Sequence, residues 1–201
     1  GCDPDTGDGA GILVQLPYRF FQREAGKLGF ELPPPGRYAV GMVFLPHDAE
    51  GRKLCMEALE KAVIENGQTV LGWRETPRNS QAIGWLARRN EPVIMQIFVQ
   101  RDRVLDIDGF ERILYVIRKS VEHTVAESAI PGKEAFYLPS LSARTIVYKG
   151  LMLASQMTRY YEDLSDPLFE SRLALIHQRY STNTLPTWPL AQPFRFVAHN
   201  G

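Results

Sequence analysis

Along the chain, apolar positions switch between short unbroken runs and a helical period, and each switch marks an element. A short apolar run from Gly9 to Leu16 predicts a buried strand. Pro17 closes it and suits the first turn of a helix reaching Leu28, with Gly29 as its cap. Pro33-Pro34-Pro35-Gly36 then breaks the chain. Beyond the break, Tyr38 to Leu45 is a continuous apolar strand. Asp48 is placed to cap a helix running to Asn66, with Leu54, Ala58, Leu59, Ala62 and Val63 on one face and Gly67 past its end. Thr69 to Trp73 predicts another strand, and Pro92 to Val99 the next. Asp108 is expected to cap a helix in which Phe110, Ile113, Leu114, Ile117 and Val121 keep the helical period. A strand from Ala135 to Leu141 follows Pro131-Gly132.

Strand-helix-strand thus occurs twice in succession, the split βαβ pattern of a ferredoxin-like unit, although no sequence repeat accompanies it. Residues 36–142 are therefore expected to form an α/β insertion within a larger fold. The alternative is that these elements are integral to the main sheets. Downstream, the pattern predicts a β-branched strand from Arg144 to Tyr148, a short helix from Gln156 to Leu164, and a strand from Phe169 to Arg179. That last strand would deliver an arginine at its end, as a rigid sheet positions a site. Phe196 to His199 reads as a further strand, with Asn200 and Gly201 at its tip.

Charge narrows the partners. The 23 basic and 23 acidic residues balance, so no basic stripe argues for nucleic acid or an anionic membrane. No run approaches the roughly 20 apolar residues that span a bilayer, and residues 1–30 carry no signal-peptide pattern. Two cysteines build no disulfide framework in a chain of this length, and no Cys/His spacing suggests a metal site. The expected setting is a reducing cytoplasm.

The candidate chemistry lies at the two ends. His177-Gln178-Arg179-Tyr180-Ser181-Thr182-Asn183-Thr184 is followed by Trp188-Pro189-Leu190-Ala191-Gln192-Pro193-Phe194 and then by His199-Asn200-Gly201. Arginine offers a planar fork matched to a carboxylate, and the Ser/Thr run supplies short hydroxyl partners. An Asn amide beside a glycine N–H can hold a developing oxyanion. Near the start, Asp5-Thr6-Gly7-Asp8-Gly9-Ala10-Gly11 has the composition of an ordinary turn when taken alone.

Together these blocks resemble the class II glutamine amidotransferases, which carry an H-x-R-[YFW]-[SA]-T stretch, a later Asn-Gly pair and a D-G-A-G segment. Within that class, the longer T-G-D-G-A-G form, the HQRYSTNT…WPLAQPFRF…HNG block and Ser-x-Arg-Thr-Ile-Val-Tyr-Lys-Gly at 142–150 resemble the glutamate synthases. The resemblance covers essentially the whole chain. It implies an α+β fold, the four-layer αββα sandwich of N-terminal-nucleophile hydrolases, present here in part over residues 1–201, with 36–142 as the insertion. It implies that Arg179 and Thr182 bind the α-carboxylate of glutamine, and that Asn200 and Gly201 form the oxyanion pair. In Gly201 the missing side chain would let substrate approach the backbone closely. The competing reading of Arg179 is a structural salt bridge.

The nucleophile of the class is an N-terminal cysteine in a Cys-Gly-[hydrophobic]-Gly context whose own α-amine is the base. No such run occurs in these 201 residues. Cys2, second in the chain and followed by Asp3-Pro4, reads as a loop cysteine, and Cys55 as core. The His-Arg-Gly stretch and the aspartate that holds the α-amino group in relatives are also not found, so the chain is expected to be part of a longer polypeptide. His177 and His199 are read as structural or supporting, Trp188 and Phe194 as packing residues, and Asp8 as organising the loop that carries the family's arginine. By resemblance the intact enzyme would hydrolyse glutamine and join the ammonia to 2-oxoglutarate on a synthase domain of the same polypeptide. That domain would use FMN and an iron–sulfur cluster, with electrons from NAD(P)H through a small subunit or from ferredoxin, and no cofactor would bind within this segment. A stand-alone amidotransferase subunit and a non-catalytic glutamine-binding relative are the alternatives.

Overall fold

The computed structural model of the chain describes residues 9–178 and 187–194. Two antiparallel sheets form the body of the molecule. The larger is built from β2 (Tyr38–Leu45), β3 (Thr69–Glu75), β4 (Val93–Gln100) and β5 (Tyr137–Ser142), in the order β3-β4-β2-β5. Every residue of β2 is buried, as its unbroken apolar run requires of a strand covered on both faces. Ala39, Val43 and Leu45 face helices α2 (Ala49–Glu65) and α4 (Ile107–Glu127), where they meet Cys55, Leu59, Val63, Phe110, Leu114, Ile117 and Val121. Tyr38, Val40, Met42 and Phe44 alternate to the opposite face.

That opposite face packs on the second sheet, β6 (Thr145–Gly150), β1 (Ala10–Gln15) and β7 (Ala174–His177), in the order β6-β1-β7. One core spans the gap: Phe20, Phe21 and Ala25 of α1 (Tyr18–Lys27) lie with Val40, Met42, Phe98, Ala10, Val14 and Tyr148. The described layers therefore run helices, sheet, sheet. β5 and β6 join the two sheets at a corner, where the Glu111 carboxylate accepts bonds from the Ser142 hydroxyl at 2.8 Å and the Ala143 N–H at 2.6 Å.

Local signals explain most boundaries. The Asp48 side chain accepts from the Gly51 N–H at 2.7 Å and caps α2, while Gly67 past its end sits at φ 73° and Gly29 past α1 at φ 85°. Cys55 is fully buried, and burial pushes its thiol up to about 11. Pattern and structure part in four places. Asp106, not Asp108, caps α4, accepting from the Gly109 N–H at 2.6 Å; Asp108 stands in the first turn and pairs with Arg144 at 2.6 Å. Both aspartates precede the periodic run, and only Asp106 has the extended backbone a cap needs.

The helix expected over 156–164 is divided into a 3-10 turn Ala154–Gln156, the short α5 (Met157–Tyr160) and a second 3-10 turn Glu162–Ser165. Tyr161 is extended at the break (φ −92°, ψ 101°), which lets Tyr160 and Tyr161 both be buried and stack edge to face at 4.6 Å. The strand expected from Phe169 is regular only over Ala174–His177. Phe169 turns into the core beside Phe20 and Tyr148, and the Ser171 hydroxyl accepts from the Gln15 N–H at 3.0 Å. A short helix, α3 (Trp85–Arg89), had no clear periodic signal. The strand expected over 196–199 lies outside the described residues.

Candidate functional site

Strand register, not sequence proximity, brings the described parts of two motif blocks together. β1 pairs antiparallel with β7 so that Gly11 lies opposite His177, and on its other side Gly11 lies opposite Lys149 of β6. Opposed residues of antiparallel strands project to the same face. Lys149, Gly11 and His177 thus form one row across the sheet, and Gly11 of the D-G-A-G segment meets His177 of the H-x-R segment at the end where β1 begins and β7 ends. Sequence places Arg179 two residues beyond His177. Arg179 and Thr182, Asn200 and Gly201, and also Cys2, Asp8 and His199, lie outside the described residues.

The W-P-L-A-Q-P-F segment joins the same row. Above Gly11, a β-carbon would collide with the Gln192 carbonyl and stand 2.8 Å from Pro193 Cδ, so only glycine lets the segment lie this close. At Gly150 a β-carbon would collide with the Trp188 ring. Trp188 is a packing residue, as its sequence context suggested: it is buried, donates its indole N–H to the Ala87 carbonyl at 3.0 Å and meets Phe44 edge to face. Between these two glycine contacts, the Lys149 Nζ donates to the Pro189 carbonyl at 2.7 Å and stands 4.6 Å from the centre of the Phe194 ring and 4.7 Å from that of Tyr137.

Lys149 was not singled out from the sequence. It is 0% exposed, and no carboxylate lies within ion-pair distance among the described residues. Burial, with a further push from the positive charge of Arg118, lowers its pKa from the ordinary 10.5 to about 7. Two signals were available: a lone lysine in an apolar strand, between Tyr148 and Gly150, and its place in the Ser-x-Arg-Thr-Ile-Val-Tyr-Lys-Gly block.

A second buried cation sits elsewhere. Arg74 on β3 grips both Asp163 oxygens at 2.8 Å, reaches Glu24 at 3.2 Å and donates to the Gln96 side chain at 2.9 Å. Tyr148 donates to Asp163 at 2.8 Å and accepts from Gln96 at 2.8 Å, which ties β6 to β4 across the layers. Burial and the Asp163 charge drive the Tyr148 phenol well above its ordinary range. With its charges internally matched, this cluster is a structural cross-link. A cavity of about 340 Å³ between β1, β7 and residues 154–171 is lined mainly by apolar side chains such as Ile12, Val14, Met157, Phe169 and Ile176. That lining does not suit a zwitterionic amino acid.

A family model described as glutamine amidotransferases class-II matches residues 1–201. The chain belongs to this family. As a class II amidotransferase domain it is 45% identical over 202 residues to the glutamate synthase [NADPH] large chain of Bacillus subtilis (strain 168), covering all of this chain and 13% of that protein. It is 46% identical over 201 residues to the glutamate synthase [NADPH] large chain of Azospirillum brasilense, again with 13% of that protein covered. The chloroplastic ferredoxin-dependent glutamate synthase of Oryza sativa subsp. japonica is 40% identical over 201 residues, 12% of its length. The amidotransferase chain thus spans about an eighth of the length of these relatives. Among its described residues no helix is long and apolar enough to cross a membrane, and no group of three or more His, Cys, Asp or Glu could hold a metal ion.

Proposed function

We propose that the chain is the glutaminase portion of a glutamate synthase, hydrolysing L-glutamine to glutamate and ammonia for transfer to 2-oxoglutarate. The observation that carries the reading is the register Gly11 to His177, which brings the D-G-A-G and H-x-R blocks together at one end of a sheet although 166 positions separate them. In this reading Arg179 binds the α-carboxylate of glutamine through its planar fork, and Thr182 adds a hydroxyl. Asn200 and Gly201 supply the side-chain amide and the backbone N–H that stabilise the oxyanion. The nucleophile is a cysteine in the family's Cys-Gly context, which none of these 201 residues provides. Helices, sheet and sheet are read as three layers of the αββα sandwich. The βαββαβ order of residues 36–142, with adjacent strands β3-β4-β2-β5, supports a ferredoxin-like unit whose free face packs into that sandwich.

The synthase domain on the same polypeptide would carry FMN and an iron–sulfur cluster and take electrons from NAD(P)H through a small subunit or from ferredoxin. Two cysteines in the chain are too few for a cluster normally held by several thiolates, so the residues here do not fit that group. The reading places the protein in a reducing cytoplasm. In the full-length enzyme, Arg179→Lys keeps the charge but loses the fork. The expected loss is on the order of 2–5 kcal/mol in glutamine-dependent kcat/KM, expressed largely in KM, with ammonia-dependent synthesis retained. Glutamine kinetics equal to wild type in this variant would overturn the assignment.

A further inference from the structure

A lysine buried with no carboxylate in ion-pair reach among the described residues needs an explanation, since an apolar side chain of similar length would fill the space at less cost. The groups around Lys149 supply one. Its Nζ has one short acceptor, the Pro189 carbonyl, while the Tyr137 hydroxyl stands at 3.5 Å and the rings of Tyr137 and Phe194 flank the stem end. Pro189 and Phe194 are both members of the segment whose other anchors are Trp188 against Gly150 and Gln192-Pro193 against Gly11. The segment is therefore held at three places on the β6–β1 pair, Trp188 at Gly150, Pro189 at Lys149 and Gln192-Pro193 at Gly11, and only the hold at Pro189 uses a polar side chain.

We propose that Lys149 is a positioning residue for glutamine hydrolysis: by fastening the Pro189 carbonyl it seats residues 188–194 on Gly11 and so sets where the chain continues toward the oxyanion residues Asn200 and Gly201. The proposal rests on the glutaminase reading above. An amine suits this task because it donates N–H bonds whether or not it carries the proton, so the hold persists on both sides of neutrality. The titratable and charged groups facing it are Tyr137 of β5, with Arg118 and Glu122 of α4 behind that phenol. On the backbone side, Tyr161 donates its hydroxyl to the Lys149 carbonyl at 2.8 Å.

The test is made in the full-length enzyme, with Lys149→Met and Lys149→Gln measured beside wild type and Arg179→Lys. Lys149→Met removes the donor while keeping the stem. Glutamine-dependent kcat should fall by about tenfold or more, with KM changed less than about threefold, because oxyanion contacts are made in the transition state. Synthesis from ammonia should stay within about twofold of wild type. Lys149→Gln keeps an N–H donor and should recover part of the lost kcat. Unchanged kcat in Lys149→Met, a parallel fall in ammonia-dependent synthesis, or an equal loss in both variants would overturn the positioning role. Should Lys149→Met fail to fold, Lys149→Leu, which also lacks the donor, decides by the same criteria: a selective drop in glutamine-dependent kcat supports the role and wild-type kinetics overturn it. Failure of the site reading itself would show separately, as wild-type glutamine kinetics in Arg179→Lys.

Discussion

Arg74 and Lys149 are both buried cations, one in each sheet, and their surroundings are opposite. Arg74 is surrounded by Asp163, Glu24 and Gln96, so its charge is matched within the cluster and its burial holds the layers together. Lys149 meets a carbonyl, a phenol and two ring faces, with no carboxylate in ion-pair reach among the described residues. Guanidinium cannot shed its proton and needs compensating anions, whereas an amine can be neutralised by burial. The difference separates a cation that serves the fold from one that serves a segment leading to the candidate site.

The strongest way to break the comparison is to remove Arg74. Arg74→Met in the full-length protein leaves the buried Asp163 carboxylate without its cation, while Glu24 keeps Arg23 and Lys27, and local stability should fall by roughly 3–5 kcal/mol. Amide hydrogen exchange in β3 and β4 would report it, together with a fall in both glutamine- and ammonia-dependent activity. Protection within about 1 kcal/mol of wild type would mean that the cluster is not the cross-link described.

A smaller effect sharpens the other side. Lys149 has a depressed pKa, near 7 against 10.5 unfolded, so between those values the unfolded chain binds a proton that the native state does not. Stability therefore rises with pH across that window, and below about 7 both states are protonated and the contribution is flat. Relative to Lys149→Met, wild-type protection of β6 should improve by roughly 1–3 kcal/mol between pH 7 and pH 9.5, after correction for intrinsic exchange. A constant difference between the two proteins would show that Lys149 titrates normally.

The smallest effect concerns a cation left in solvent. Arg144 and Asp108 pair at 2.6 Å with both side chains more than half exposed, so Asp108→Ala should cost less than about 0.5 kcal/mol. Asp106→Ala removes the cap of α4 and should cost about 1 kcal/mol, read from exchange in the first turns of that helix. Equal costs would return the capping role to Asp108.

How much of this was legible depended on the range of the physics involved. β2 and α2 were legible nearly to the residue, because an unbroken apolar run and a helical stripe bounded by Asp48 and Gly67 are local signals. The 154–165 segment was not, because its division follows from where Tyr160, Tyr161 and Asp163 find partners on Glu91, Lys149 and Arg74. Of the candidate site, the motif blocks were plain in the sequence. Arg179, Thr182, Asn200 and Gly201 themselves stand outside the described residues, so their roles rest on those blocks.

By itself the sequence determined the long strands and helices from β1 to β6, the apolar face of each, and which family the motifs resemble, since propensity, period and motif are written in neighbouring residues. Only the tertiary structure decided that Gly11 lies between Lys149 and His177, and that the Pro189 carbonyl comes to the Lys149 amine. Pairing across a sheet joins positions far apart in the chain, and a buried amine declares its partner only once the surrounding layers have excluded water.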